Sequence, residues 1–266
     1  MIIDFHTHTF PDKIAEKTIA YLAEKGNVTP YREGTLSSLK ESMKKAGIDY
    51  SVVLPVATSK SQVESINRTA LNLNNKDGII YAGAIHPESE NIEEILDGIK
   101  NAGLFGIKIH PDYQGAYFDD IRYIKIMEAA AKRDLITVTH AGFDVGYPDD
   151  IHCTPDHILN VLNSLNGLID NKLVLAHLGS CDNPDEVIEK LAGKNVYLDT
   201  SFVLDRYPEK AKEVMKAHGY DKILFGTDSP WADQKKYVEM LKGFDLDGTQ
   251  LEMIFSSNAK KLLNLG

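Results

Sequence analysis

Near the start of the chain, "DFHTH" places His6 and His8 two residues apart, with Asp4 two residues before them. Side chains alternate faces along a β-strand, so in an extended segment the two imidazoles converge on one face with Asp4. Paired imidazoles suit a divalent metal, although a His-X-His on a strand is also ordinary surface polarity. Context decides between them. Four more groups of ligand type close short apolar runs: His110 in "GIKIH", His140 in "LITVTH", His177 in "KLVLAH" and Asp228 in "ILFGTD".

Eight such runs recur along the chain: "MIIDFHTH", "DYSVVLP", "GIIYAGAIH", "GLFGIKIH", "LITVTH", "KLVLAH", "NVYLDTS" and "KILFGTD". Between them lie stretches with apolar residues every third or fourth position, such as "SQVESINRTALNLNNK", "IEEILDGIKNAG" and "DIRYIKIMEAAAKRD". Thr154 before Pro155 and Asn183 before Pro184 read as helix starts, and Gly193 as a helix end. Strands alternating with helices predict α/β architecture. Eight units, in 266 residues without a linker, predict one domain over 1–266, a distorted (β/α)8 TIM barrel with a C-terminal helical extension. An open doubly wound sheet is the alternative, weakened by the lack of a Gly-X-Gly-X-X-Gly after the first strand. The C-terminal strand ends of a barrel meet on one face, so the His and Asp residues gather there. His140 shares strand parity with Ile136 and Val138, and His177 with Leu173 and Leu175, which predicts that both imidazoles point inward with an apolar core.

The quoted strand ends, with "GIKIHPDYQGAYFDD", "TVTHAG", "TPDHI", "LVLAHLGS", "VYLDTS", "ILFGTDSPW" and "IFSSNAKKLLNL", resemble the amidohydrolase superfamily from end to end. The resemblance is to the amidohydrolase-related branch that includes aminocarboxymuconate-semialdehyde decarboxylase-like proteins. It implies that His6, His8, His140 and Asp228 bind one divalent metal, with His177 beside it. Zinc is the first choice, with manganese or iron also suited to such donors. Three neutral imidazoles and one carboxylate leave a dication at about +1, enough to acidify a bound water. Asp228 then takes a proton and His177 polarises a carbonyl. A second metal on a carboxylated Lys108, as in binuclear members, is the lesser alternative; otherwise Lys108 and His110 meet an anionic substrate. Asp4 is either an acceptor for a ligand N–H or a structural acceptor.

These readings predict a hydrolase that attacks a small amide, ester or lactone with metal-activated water. The alternative is a nonoxidative decarboxylase of a small carboxylic acid. A non-catalytic metal-binding barrel is the reading of another class. TatD-like deoxyribonucleases also begin with His-X-His but use Glu where this chain has His110, and three-metal phosphoesterases need more ligands. Loops after the strands supply Phe10, Tyr113, Phe143, Tyr147, Arg206 and Trp231, a set suited to a small organic carboxylate, with Arg206 and Trp231 taken as substrate-binding.

The remaining features exclude more than they assign. There are 29 Lys and Arg against 39 Asp and Glu, a net charge of −10, and no basic run to track a phosphate backbone, so nucleic acid is not expected. No signal-peptide pattern or membrane-spanning apolar run is evident, and two cysteines form no disulfide framework; a cytoplasmic protein is expected. The resemblance allows a homodimer through outer helices. His152, Cys153 and His157 match no standard zinc spacing. His86 reads as structural and His218 as solvent-facing at a helix end.

Overall fold

The short apolar runs become strands because both of their faces are covered, as parallel strands require. In the computed structural model, which describes residues 1–266, they are β1 (Ile3–Thr7), β2 (Tyr50–Val53), β3 (Ile79–Tyr81), β4 (Gly83–Ala84), β5 (Gly106–Ile109), β6 (Ile136–Thr139), β7 (Leu173–Leu175), β8 (Tyr197–Asp199) and β9 (Ile223–Leu224). All pair in parallel, in two sheets ordered β1-β2-β3 and β4-β5-β6-β7-β8-β9. β3 and β4 are the two halves of the third expected strand. They part at Ala82, whose N–H donates to Val53 O at 3.0 Å while Gly83 turns to pair with Ile107. The regular ladder is therefore not closed. Between its first and last strands the backbone still bonds, from Phe5 N to Phe225 O at 2.7 Å and from Asp228 N to His6 O at 2.9 Å. The architecture is a distorted (β/α)8 barrel.

Ile3, Phe5, Val52, Ile80, Val138, Val174, Tyr197 and Leu224 fill its interior together with Ala259 and Leu262. The last two belong to the final helix (Asn258–Leu263), so the C-terminal extension plugs the barrel floor. A larger apolar layer lies between strands and helices. There Ile107, Leu173, Leu175 and Leu198 pack with Ile126, Val161 and Val187. Each such buried side chain contributes roughly 1.5–3 kcal/mol. Gly106 lets β5 approach β6 closely, because a Cβ there would stand 2.0 Å from Ile136 O.

Two departures from simple alternation shape the site. In β1, Asp4 pairs with Ser51 and Thr7 with Val53, three steps against two, so a bulge interrupts the strand. Asp4 and His6 consequently do not share a face as expected. On β7, Leu173 and Leu175 face the helices, and Val174 faces the barrel interior. The parity expected to carry His177 inward is thus inverted. His177 reaches the centre because the chain turns sharply after Ala176, with left-handed φ at His177 (57°) and Leu178 (53°).

Thr154 caps the helix Pro155–Leu165, as the sequence predicts, and the structure adds a capping box with His157. Asn183 precedes the helix Pro184–Lys190, but its amide bonds Glu186 instead of the helix backbone. His218 is buried, not solvent-facing, and its Nε2 donates to Val196 O at 2.9 Å. Cys153 and Cys181 are buried and free. No helix is long and apolar enough to cross a membrane.

Candidate metal centre

At the C-terminal end of β1, the bulge brings His6 Nε2 and His8 Nε2 to 3.2 Å. Asp228 Oδ1 lies 3.1 Å from His8 Nε2 and 3.6 Å from His6 Nε2. Asp228 follows β9 on a left-handed turn, φ 69°, a conformation that costs a non-glycine residue about 1–3 kcal/mol. These three residues offer donor atoms within 4.8 Å of one another.

Their tautomers test whether a cation fits. His8 Nδ1 lies 2.9 Å from Leu54 O, which can only accept, so that nitrogen carries the hydrogen. His6 Nδ1 lies 2.8 Å from the buried Asp199 carboxylate and carries its hydrogen likewise. Both Nε2 atoms are then lone pairs facing each other and an anionic oxygen. Such a group repels itself unless a positive ion lies among the three, and carboxylate–His pairing of the kind made by Asp199 is the usual support for a ligating imidazole. The donor set fits a divalent metal.

Burial depresses the His6 pKa to about 4, with Lys108 adding to the effect, so this imidazole is neutral, as a ligand must be. For Asp228 burial acts upward, but the contact with His8 and the nearby His6 and His177 outweigh it and bring the carboxyl down to about 2. Burial also opposes ionisation of Asp199, yet His6, His177 and Ser201 hold it well below the ordinary carboxylate range.

Asp199, to which the sequence reading assigned no role, organises the centre. Besides His6 it accepts from His177 N at 3.1 Å, Ser201 N at 3.0 Å and Ser201 Oγ. Ser201 Oγ in turn lies 2.9 Å from His177 Nδ1 and 3.1 Å from His6 Nδ1. Asp199 ends an apolar strand as His140 does, so the same signal marks it. Asp4 instead accepts from Thr227 N, Thr227 Oγ1 and Gln234 Nε2 at 2.6–3.0 Å, fastening β1 to the β9 end.

His140 does not join His6, His8 and Asp228. Its Nδ1 contacts His177 Nε2 at 3.0 Å, and it groups instead with His110 and Asp144. Lys108 is buried beside the centre; burial lowers its pKa to about 8, against the pull of Asp199 and Asp228. Arg206 and Trp231 line a cavity of about 510 Å³ with Tyr31, Phe202 and Tyr237. The Arg206 guanidinium lies 3.8 Å over the Phe202 ring, and Phe202 packs edge-on to His177 at 5.9 Å. Phe10, Tyr113, Phe143 and Tyr147 are not among its lining residues; Tyr113 packs instead on His110 and Tyr147.

The buried histidines set a pH dependence in the metal-free protein. His6, His110 and His140 all have folded pKa values below their unfolded value, so between about pH 6.5 and 4 the unfolded chain binds more protons and stability falls with pH. Asp4 and Asp112, raised to about 7 and about 6 by burial, act in the opposite sense but are fewer. The urea midpoint measured with chelator should therefore be lower at pH 5 than at pH 7. An equal or higher midpoint at pH 5 contradicts neutral burial of these imidazoles.

Comparison with solved structures finds the same fold at low identity. The crystal structure of 2,6-dihydroxybenzoate decarboxylase from Rhizobium is 16% identical with a TM-score of 0.74, covering 99% of this chain and 98% of that one. The 5-carboxyvanillate decarboxylase of Novosphingobium aromaticivorans, with bound manganese and 3-methoxy-4-hydroxy-5-nitrobenzoic acid, is also 16% identical with a TM-score of 0.74, covering 100% and 97%. A putative amidohydrolase from Staphylococcus aureus is 19% identical with a TM-score of 0.72, covering 99% of each. No curated protein matches the sequence. The amidohydrolase family model matches residues 3–265, and the chain belongs to that family of enzymes.

Proposed function

We propose that this protein is a metal-dependent decarboxylase of a small aromatic carboxylic acid carrying a hydroxyl group. The observation that carries this reading is an arginine on an aromatic wall, Arg206 over Phe202, in a cavity whose Phe202 packs edge-on against His177. Stacked aromatics and a guanidinium suit a flat anion. The folds of the dihydroxybenzoate and carboxyvanillate decarboxylases support it further. Hydrolysis, the first reading of the sequence, uses the same ligands and is the rival.

His6, His8 and Asp228 would hold the ion; His140, the fourth donor that the resemblance implies, stands outside that group with its Nδ1 on His177. When bound, the metal supplies positive charge for substrate oxygens. Arg206 and Trp231 orient the ring, and Lys108 and His110 face its anionic group. As the C–C bond breaks, its electrons stay on the ring carbon, carbon dioxide leaves, and a proton takes its place. His177 and Asp228 are the groups able to hold that proton. Ser201 O, 3.1 Å from His177 Nδ1, takes the hydrogen of that nitrogen and leaves Nε2 facing His140 Nδ1 at 3.0 Å.

Manganese- or zinc-loaded protein should release carbon dioxide from hydroxybenzoates in step with formation of the decarboxylated ring. Arg206→Ala should raise KM about 10–100-fold with a smaller change in kcat, the pattern of lost binding shared by ground and transition states. New acid from an amide, ester or lactone without carbon dioxide would overturn the assignment in favour of hydrolysis.

A further inference from the structure

The groups that would act on a substrate are closed off from solvent. Lys108, His177, His110 and Asp228 are only 1%, 4%, 8% and 8% exposed, and none of the four lines the cavity that holds Arg206 and Trp231. A substrate reaches them only if a covering segment moves. One such cover is the loop Phe143–Asp150, which follows β6. Its Asp144 Oδ2 lies 3.5 Å from His110 Nε2, and its Val145 lines the Arg206 cavity. Its Tyr147 packs edge-on to Tyr113 at 4.9 Å, and Tyr113 packs edge-on to His110 at 4.7 Å.

The loop is pinned at its base. Gly142 N donates to Cys153 O at 2.8 Å, Phe143 N to Asp182 Oδ1 at 3.0 Å and His152 N to Asp112 Oδ1 at 3.1 Å. Between these pins, Asp144 to Asp149 hydrogen-bond only among themselves, through Gly146 N to Asp144 Oδ1 at 2.7 Å and Tyr147 N to Asp144 O at 3.0 Å. A segment held to the body by side-chain packing opens at lower free energy than the strands and helices around it.

What holds the tip is the end of the helix Asp12–Gly26. Lys25 Nζ lies 3.5 Å from the centre of the Tyr147 ring and 5.0 Å from that of Tyr113. Beside it, Gly26 meets Val145 so closely that a Cβ on Gly26 would stand 2.8 Å from Val145 Cγ2 and 3.6 Å from Val145 Cβ. We propose that the loop Phe143–Asp150 is a gate over the site, latched by the Lys25 ammonium on the Tyr147 ring, and that substrate enters when the latch releases. The inference rests on the reading that His110 and its neighbours meet substrate. A cation–π contact biases an open–closed equilibrium by about 2- to 30-fold, enough to hold a short loop shut without preventing turnover. Closure sets Asp144 against His110 and Val145 against the cavity, so the gate that admits substrate also keeps water from the groups it covers.

A separation of 3.6 Å between β-carbons is that of a disulfide, so Gly26→Cys combined with Val145→Cys makes a gate that oxidation locks and a phosphine reductant frees. Cys153 and Cys181 are buried and do not compete. Diethyl pyrocarbonate, which acylates accessible imidazoles, is applied to metal-loaded protein, and peptide mass spectrometry follows His110, with buried His218 as the control for unfolding. Modification of His110 should be at least about tenfold slower in the oxidised double variant than in the reduced one. It should be about 2- to 30-fold faster in Lys25→Met than in wild type, and close to wild type in Lys25→Arg. Oxidation that leaves the His110 rate unchanged overturns the gate, and Lys25→Met at the wild-type rate overturns the latch. Should the disulfide not form, Lys25→Met against Lys25→Arg decides alone. Decarboxylation of a hydroxybenzoate should fall with oxidation and return with reduction. If no form releases carbon dioxide while His110 is still gated, the substrate reading fails and the gate stands.

Discussion

Asp228→Asn should lower kcat by about a thousandfold or more while leaving the protein folded. Asparagine occupies the same volume, so the left-handed turn after β9 and the bond from Asp228 N to His6 O survive. What disappears is the carboxylate, which at about 2 is ionised under all working conditions and sits 3.1 Å from His8 Nε2. An amide is a weaker donor to a dication and cannot hold the proton that the reaction moves. Loss of a positioned proton-transfer group alone costs about 10²–10⁴ in rate. Steady-state kinetics on metal-saturated protein checks this. A variant with near-wild-type kcat would remove Asp228 from the chemistry.

Asp199→Ala should produce the largest fall in stability, about 3–5 kcal/mol, as expected when one member of a buried ionic network is removed. It leaves His6 Nδ1, His177 N and Ser201 N without their acceptor, all in the interior. Because the His6 ring then loses its orienting partner, metal affinity should also fall about 10–100-fold. Asp4→Asn supplies the contrast: it touches Thr227 and Gln234 but no ligand ring, and should lower stability without changing metal affinity. Urea titration and metal titration of both variants separate the two carboxylates. Equal loss of metal from both would return Asp4 to the role first considered for it.

The strands were legible because parallel strands buried on two faces read as short apolar runs, and all eight runs contain strand. Side-chain direction was less legible. The extra residue in β1 and the left-handed turn at His177 are local backbone events that alternation cannot anticipate. They turn His6 away from Asp4 and carry His177 inward against the parity of Leu173 and Leu175. The residues that close strands were found where a histidine or Asp228 stood out. Asp199 carried the same signal within "VYLDTS" but was one acidic residue among many. Asp112 and Asp144 lie on a four-residue helix and in a loop, where no periodicity marks which way a side chain turns. His218 shows the converse error, since a polar residue at a helix end can still be drawn inside by one backbone carbonyl.

Anomalous diffraction from a crystal of manganese- or zinc-loaded protein tests the central assignment most directly. A peak bonded to His6 Nε2, His8 Nε2 and an Asp228 oxygen is the predicted result. Fully loaded crystals with no peak among those three side chains would contradict it.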